Sequence, residues 1–281
     1  MPNDIDTNLL LGKAMAKDIR ASLAEEAQSM TKRLGQPLKL ATIRIGDFDD
    51  ARLYANSIDK LLGRFEITHQ AIELDANSSS ESVIAKIDEL IADNSLGGIL
   101  LLSPLPEHLN YNAIIEHIPA VLDSEGTRYA GVNQAEAYPP TALALFEAIK
   151  AAKRPIEGLQ AVVVGRSRIV GKPVADLLLK ANATVTICHS KTTDLAQYIR
   201  MADIVVAAVG KAKIIKGDWI KPGAIVVDAG ENVIDGELFG DVEFEIAKTK
   251  AGFITPVPGG IGPLTSLMLI KNLLALYKQK S

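Results

Sequence analysis

The stretch AVVVGRSRIVGKPVADLLLKANATVTICHSKT, residues 161–192, decides the fold that the sequence predicts. Its first four residues are small or β-branched and apolar, which is typical of a strand buried on both faces of a parallel sheet. A turn between Gly165 and Gly171 follows, and residues 174–180 have the period of a helix. A second apolar run at 183–187 predicts the next strand. Strand, glycine turn, helix and strand in this order indicate a βαβ unit.

The turn at the start of this helix is suited to bind an anion, because backbone N–H groups point outward at a helix start. A dinucleotide pyrophosphate is the expected anion, and we predict that Gly165, Arg166 and Ser167 contact it. The spacing is G-x-S-x-x-x-G and departs from the usual G-x-G-x-x-G, so the glycines alone are weak evidence. A βαβ unit that binds no nucleotide is the alternative.

The residues after the second strand indicate which cofactor binds. A carboxylate at this position would bond the ribose 2′-hydroxyl of NAD, whereas a cation or hydroxyl accepts the 2′-phosphate of NADP. The sequence at 188–192 is CHSKT, which contains no acidic residue. With Ser190 at this position and Arg166 near the turn, the sequence predicts NADP.

Length, charge and cysteine content exclude several classes of protein. The chain has 281 residues, of which 48% are hydrophobic, so it is long enough for two domains with substantial cores. A net charge of −4 argues against a nucleic-acid-binding surface. The lone cysteine, Cys188, excludes an internal disulfide and a cysteine-based metal cluster, and we expect it to be buried and not catalytic. The first twenty residues resemble neither a signal peptide nor a membrane span, so a cytoplasmic protein is expected.

The N-terminal half predicts an alternating α/β unit of its own. Helices are expected at 12–33, 51–64, 81–92 and 110–117, and strands at 38–45, 68–74 and 97–102. An aspartate in the turn at 46–50 is available to cap the second helix, and the polar run at 77–80 to cap the third. The third strand ends in Ser103-Pro104-Leu105-Pro106, a rigid loop at the strand end where open α/β sheets place ligands. Ser103 itself is expected to be a capping or turn group.

The remaining elements of the C-terminal half complete the predicted Rossmann-type sheet. Helices are expected at 142–152, 195–200 and 243–250, with a last one ending near 277, and buried strands at 204–208 and 224–228. Gly210 and Gly230 follow these two strands, as expected if a flat nicotinamide ring passes close to the backbone. The loop ITPVPGGIGPLT at 254–265 is stiff enough to close over a ligand, although a structural crossover is the alternative.

Three motifs resemble those of one enzyme family. GRSRIVGKP at 165–173, CHSKT at 188–192 and ITPVPGGIGPLT at 254–265 are similar to the methylenetetrahydrofolate dehydrogenase/cyclohydrolase family. The resemblance implies a folate-binding α/β domain at 1–139, a Rossmann NADP-binding domain at 140–262, and a folate cleft between them.

The same resemblance implies that the final helix, at 263–281, packs back on the first domain. It also implies that Pro258, Gly259 and Gly260 contact a tetrahydrofolate substrate, and that the protein is a homodimer without nucleic-acid or membrane partners.

The chain departs from the family pattern where the chemistry is expected. The family helix carries Y-x-x-x-K, and here the tyrosine is Tyr54 while the lysine position is Ile58. Lys60 is no substitute, because two positions along a helix lie on nearly opposite faces. In the family's V-Q-L-P-L-P loop the glutamine holds that lysine, and Leu102 replaces it here. The resemblance therefore places Tyr54, Ile58 and Leu102 in the catalytic positions.

Two further motifs retain or gain a carboxylate. The family's D-V-D-G, whose second aspartate bonds the pterin, corresponds to Asp123-Ser124-Glu125-Gly126, so Asp123 and Glu125 are predicted to bind substrate. From spacing alone, a solvated turn is the alternative. The family's D-V-G-I-N corresponds to 228–232, which places Glu231 beside the cofactor in the position of an isoleucine.

These substitutions are expected to affect the two reactions of the family differently. Hydride transfer from 5,10-methylenetetrahydrofolate depends mainly on positioning, since the folate nitrogens stabilise the resulting cation. Cyclohydrolysis needs proton transfers that a lysine would assist. We therefore predict an NADP-dependent dehydrogenase whose cyclohydrolase activity is weak or lost. A dehydrogenase of a different, less polar substrate and a non-catalytic paralogue that binds NADP or folate are the alternatives.

Overall fold

The computed structural model describes residues 8–128 and 137–280. The chain divides into two compact units, which we name by their main segments. The 20–138 unit comprises Arg20–Tyr138 and Leu269–Ser281, and the 139–268 unit comprises Met1–Ile19 and Pro139–Met268. Among the described helices, none combines the length and apolar character that a membrane span requires.

The 20–138 unit is built on a three-stranded parallel sheet in the order β2-β1-β3. Its strands are β1 (Lys39–Ile45), β2 (Thr68–Leu74) and β3 (Gly98–Leu101). The central strand is almost wholly buried because it has a neighbour on each side and helices pack on its faces. The helices in this part of the chain are α1 (Gly12–Leu34), α2 (Asp49–Gly63), α3 (Ser80–Ile91) and α4 (Tyr111–His117).

The 139–268 unit has a five-stranded parallel sheet in the order β10-β7-β6-β4-β5. The strands are β4 (Gln160–Val164), β5 (Thr184–Cys188), β6 (Ile204–Ala207), β7 (Ile225–Asp228) and β10 (Phe253–Ile254), and β8 (Asn232–Ile234) and β9 (Glu237–Phe239) form a separate antiparallel hairpin. The helices are α5 (Pro140–Ala151), α6 (Gly171–Lys180), α7 (Leu195–Met201) and α8 (Phe244–Ala247), and α9 (Gly262–Gln279) begins in this unit and belongs to the 20–138 unit from Leu269 onward.

The strand register aligns the carboxyl ends of the central strands in this larger sheet. Val164 of β4 pairs with Cys188 of β5 on one side and with Ala207 of β6 on the other, and Ala207 pairs in turn with Asp228 of β7. The connection after β4 leads to β5 on one side, and the next connection crosses to β6 on the other side of β4, so the strand order reverses at β4. Such a reversal is the switch point where doubly wound sheets bind ligands. The predicted α/β fold class is confirmed.

Two predictions about local structure were wrong, and one element was not predicted. No aspartate caps α2; its N-cap is Phe48 without a side-chain bond, and Asp47 pairs with Arg44 and Arg52 instead. The helix predicted at 243–250 is only the four residues Phe244–Ala247, and the β8–β9 hairpin had no predicted counterpart. The predicted polar cap of α3 is confirmed, since the Ser79 side chain accepts the N–H of Ser82.

The closest packing in the 20–138 unit lies around Tyr277. Its hydroxyl accepts the N–H of Lys39 at 2.7 Å and donates to the carbonyl of Ser95 at 2.8 Å. A Cβ built on Gly97 would lie 1.9 Å from the Tyr277 ring, so this residue must be glycine for the ring to occupy its place. The ring thus ties residues far apart in the chain into one core.

We expect Gly97→Ala to lower the free energy of unfolding by about 1–3 kcal/mol, the usual cost of overpacking a core. Gly63→Ala is the matched control, since nothing lies within 4 Å of its Cβ position at the end of α2. We expect the control to be neutral or to stabilise by about 0.5 kcal/mol. Urea denaturation of both variants checks this, and equal stabilities would contradict the packing described.

Candidate active site

The turn after β4 is shaped by two glycines. Gly165 has φ of 126°, a conformation that favours glycine, and a Cβ on it would lie 2.1 Å from the carbonyl oxygen of Ala208. A Cβ on Gly171 would lie 2.3 Å from the carbonyl oxygen of Gly165. Larger residues would therefore push apart the turn and the end of β6, which together border the switch point.

Ser167 organises the start of α6 from within this turn. Its Oγ accepts the N–H groups of Val170 and Gly171 at 3.1 and 3.3 Å. Since a hydroxyl can donate as well as accept, its O–H stays available to a ligand. The neighbouring Arg166 is exposed. Gly165, Arg166 and Ser167 thus share one small turn, as the sequence predicted.

The segment after β5 presents hydroxyl and cationic groups. Ser190 and Lys191 are exposed, and the segment is closed by a bond from the His189 N–H to the Thr192 Oγ1 at 2.8 Å. Cys188 is fully buried, as the sequence predicted, and this burial raises the pKa of its thiol.

A buried aspartate fixes the loop after β6. Asp241 accepts the N–H groups of Val209, Gly210 and Lys211 at 2.7, 3.0 and 2.7 Å, and the side chain of Asn232 at 3.0 Å. The predicted cofactor residue Gly210 is therefore held in a left-handed turn by a carboxylate. Sequence reasoning missed Asp241, whose only signal was an aspartate after Gly240 in a short polar segment.

A second buried aspartate fixes the loop after β7. Asp228 accepts the N–H groups of Gly230 and Val242, each at 2.8 Å, and its own N–H bonds to Thr255. Burial raises the pKa of Asp228 to about 6, against the lowering effect of these hydrogen bonds.

A pocket of about 520 Å³ lies at this end of the sheet. It is lined by residues 228–231 after β7, by residues 256–263 before and at the start of α9, and by Thr141, Leu238 and Thr265. The structure thus brings together four predicted residues, Pro258, Gly259, Gly260 and Glu231, in the wall of one pocket.

The 20–138 unit groups the predicted substrate carboxylates with two tyrosines. Glu125 accepts a hydrogen bond from the Tyr111 hydroxyl at 3.5 Å. Burial and the negative charge of Asp123 raise the pKa of Glu125 to about 7. Desolvation and the negative charge of Glu125 raise the pKa of Tyr54 to about 12, although the residue is 42% exposed, so Tyr54 keeps its proton at neutral pH. Tyr54 and Glu125 are therefore close enough to interact electrostatically.

The alternative of a solvated turn at 123–126 was wrong. Asp123 is 2% exposed and Ser124 is fully buried. The buried polar groups of Ser124 are satisfied, since its hydroxyl donates to the carbonyl of Ile99 and its carbonyl accepts from the side chain of Asn272. Asp123 accepts the N–H of Arg128 at 2.7 Å. Burial nevertheless raises the pKa of Asp123, which is the dominant effect.

The side chains at positions 58 and 102, which the sequence analysis places in the catalytic positions, are hydrocarbon and buried. Ile58 on α2 is 2% exposed and Leu102, directly after β3, is 1% exposed. The N–H of Leu102 bonds to the carbonyl of Ile43 at 2.9 Å, which continues the sheet past the end of β3. Lys60, two positions from Ile58, is exposed, as expected for the opposite side of the helix.

Two family models cover most of the chain. The tetrahydrofolate dehydrogenase/cyclohydrolase catalytic domain matches residues 10–125, and the NAD(P)-binding domain of the same family matches residues 139–281. The chain belongs to the tetrahydrofolate dehydrogenase/cyclohydrolase family. The predicted family and the two-domain α/β fold are thereby confirmed, as is the prediction of an NAD(P)-dependent enzyme.

Individual relatives span nearly the whole chain. The bifunctional protein FolD of Halothermothrix orenii is 41% identical over 268 residues, which cover 93% of this chain and 94% of that protein. The crystal structure of the FolD methylenetetrahydrofolate dehydrogenase/cyclohydrolase of Campylobacter jejuni is 37% identical, with a TM-score of 0.86 and coverage of 97% and 99%. The Trypanosoma brucei FolD structure, complexed with NADP and an inhibitor, is 34% identical, with a TM-score of 0.81 and coverage of 96% and 97%.

The raised pKa of Glu125 predicts a pH dependence of stability. Its pKa in the folded chain, about 7, exceeds its ordinary value of 4.5. The stability contribution of the protonated carboxyl is therefore complete below pH 4.5 and lost as the pH rises through 7. We expect the free energy of unfolding to fall over this interval, and less steeply in Glu125→Gln.

Carbon-13 NMR titration of labelled glutamate measures the same group directly. We expect a midpoint near 7 for the resonance that disappears in Glu125→Gln, and a lower midpoint in Asp123→Asn, which removes the neighbouring charge. A midpoint within the ordinary glutamate range would contradict the burial described for Glu125.

Proposed function

We propose that this chain is an NADP-dependent 5,10-methylenetetrahydrofolate dehydrogenase in which cyclohydrolase activity is weak or lost. One observation carries the proposal: Ile58 and Leu102, at the positions of the family's lysine and glutamine, are hydrocarbon and buried. The cofactor turn, by contrast, keeps the glycines that its backbone requires. The substitutions therefore separate the two activities of the family.

The residues at the switch point fit a dinucleotide phosphate. Gly165 and Gly171 leave the start of α6 free of Cβ atoms, and the exposed Arg166 supplies positive charge. The exposed Ser190 offers a hydroxyl, and no acidic residue follows β5 within 188–192 to repel a 2′-phosphate. When bound, NADP supplies the acceptor for a hydride. We propose that Gly165, Arg166, Ser167, Ser190, Gly210 and Glu231 hold this cofactor.

The carboxylates and tyrosine of the 20–138 unit suit recognition of a pterin. Tyr54 stays neutral and offers a ring face together with a hydroxyl donor. Glu125 titrates near 7, so it can accept hydrogen bonds when ionised and donate one when protonated. We propose that Tyr54, Asp123 and Glu125 orient the folate, together with Pro258, Gly259 and Gly260.

The hydrocarbon at 58 and 102 removes assistance that cyclohydrolysis needs. Adding water to the methenyl cation and opening a C–N bond moves protons, and a positioned acid or base contributes roughly 10²- to 10⁴-fold to such a step. Neither an isoleucine nor a leucine can exchange a proton. The paired replacement is also physically coherent, because a buried glutamine without its lysine would be an unsatisfied polar group.

The remaining predictions are proposed with the same function. Residues 1–139, joined by the helix at 263–281, would form the folate-binding domain, and residues 140–262 the NADP-binding domain. The protein would be a cytoplasmic homodimer.

The primary test is an assay of the purified protein with 5,10-methylenetetrahydrofolate, comparing NADP with NAD. We expect reduced nicotinamide to appear, and faster with NADP at equal concentration. Binding of NADP and folate without turnover would favour the non-catalytic paralogue. Reduction of NADP with another substrate, but not with 5,10-methylenetetrahydrofolate, would favour the dehydrogenase of a different, less polar substrate. Either result would contradict the proposed dehydrogenase.

The double variant Ile58→Lys with Leu102→Gln tests the assignment of the two positions. We expect its cyclohydrolase rate to rise by at least tenfold, within the range of general acid–base assistance. Each single variant is a control and should gain little, because a lysine or glutamine alone has no partner.

Because a buried lysine can destabilise the fold, the free energy of unfolding of each variant is measured as well. In a double-mutant cycle, we expect the double variant to be more stable than the sum of the single effects predicts, by about 0.5–3 kcal/mol. Additive destabilisation with no gain in cyclohydrolase rate would show that the two positions do not form the proposed pair.

A further inference from the structure

The pocket beside β7 has an unusual charge. Of the described residues that line it, Asp228 and Glu231 are the only ones with titratable side chains, and both are acidic. The rest of the lining consists of glycine, proline, apolar residues and two threonines. A ligand in this pocket therefore meets negative charge without a neighbouring lysine or arginine in the same lining.

The backbone of Glu231 is fixed on both sides. The N–H of Gly230, before it, bonds to Asp228 at 2.8 Å. The side chain of Asn232, after it, bonds to Asp241 at 3.0 Å and to the carbonyl of Phe239 at 3.1 Å. The buried aspartates therefore hold the backbone on both sides of Glu231, and its side chain is exposed in the pocket wall.

The start of α9 favours a negative charge at this place. The Oε1 atom of Glu231 lies 3.9 Å from the point where a Cβ on Gly262, the first residue of α9, would be. The N-terminus of a helix carries a partial positive charge, and a carboxylate there is stabilised. The carboxylate of Glu231 therefore has a reason to stay at the pocket rim.

The strand order indicates which half of a dinucleotide this pocket faces. Strand β5 lies on one side of β4, and β6 and β7 lie on the other side. Ser190 is in the segment that follows β5. In a doubly wound sheet the two halves of a dinucleotide lie on opposite sides of the switch point. If the 2′-phosphate end lies beyond β5, the nicotinamide end lies toward β6 and β7, where Glu231 is.

We infer that Glu231 makes this pocket discriminate between the oxidation states of the cofactor, binding NADP⁺ in preference to NADPH. The oxidised nicotinamide ring carries a positive charge and the reduced ring carries none. A carboxylate in the pocket wall therefore attracts the oxidised ring and gives the reduced ring no Coulombic gain. The family's isoleucine at this position offers no such charge. This inference rests on the proposed NADP cofactor and adds a specificity-determining residue to it.

Equilibrium binding of NADP⁺ and NADPH tests the inference without turnover. The variant is Glu231→Gln, which keeps the shape of the side chain and removes its charge. We expect the ratio of the two dissociation constants to shift toward NADPH by about threefold to fivefold, the size of one solvent-screened charge interaction. The shift should shrink at high salt because exposed charges are screened.

Glu157→Gln is the matched control, since Glu157 is also exposed but precedes β4, at the opposite edge of the sheet. It changes the net charge equally and should leave the ratio unchanged. A Glu231→Gln ratio equal to that of the unmodified protein, or an equal shift in Glu157→Gln, would overturn the role of Glu231 while the proposed cofactor stands. If neither NADP⁺ nor NADPH binds the unmodified protein, both proposals fail together.

Discussion

Parallel strand pairing is the constraint on which the placement of chemistry in this chain depends. In the main sheet of each unit all strands run in one direction, so every strand of that sheet delivers its next residues to the same edge. In the 139–268 unit this edge collects Gly165, the loop held by Asp241, and residues 228–231. In the 20–138 unit, β3 delivers Leu102 to the corresponding edge. A substitution after a strand end therefore changes a site without disturbing the sheet that supports it.

Burial limits which substitutions are tolerated at such a sheet edge. An ionisable group inside hydrocarbon needs a partner, and a partner left alone is costly, so paired positions tend to change together. The replacement proposed at Ile58 and Leu102 fits this expectation, because both side chains are aliphatic and both are buried. Asp123 and Glu125, by contrast, are polar residues in a buried turn. Asp123 accepts a hydrogen bond from the backbone N–H of Arg128, and Glu125 accepts one from the Tyr111 hydroxyl. One unit thus contains two buried aliphatic side chains and two carboxyl groups in a hydrogen-bonded turn.

Local sequence predicted the elements whose structure is itself local. The run from residue 161 to 192 specified β4, the glycine turn, α6 and β5, because apolar period and turn glycines act over a few residues. Asp241 was missed since it bonds to Val209, 32 positions away, and no period links the two. The burial of the turn at 123–126 could not be predicted from its polar residues, because it involves a bond from Asn272, 148 positions away, to the carbonyl of Ser124. Contacts between distant segments, which polar patterns do not encode, account for both errors.

The division between the two activities is tested most directly by the fate of the oxidised folate. Protein, NADP⁺ and 5,10-methylenetetrahydrofolate are mixed, and NADPH and the methenyl product are followed together by absorbance. We expect the methenyl product to accumulate in equal amount to NADPH and to decay only at the spontaneous rate measured without protein. A methenyl yield that falls behind NADPH, with ring-opened formyl product forming faster than in protein-free solution, would contradict the loss of cyclohydrolase activity.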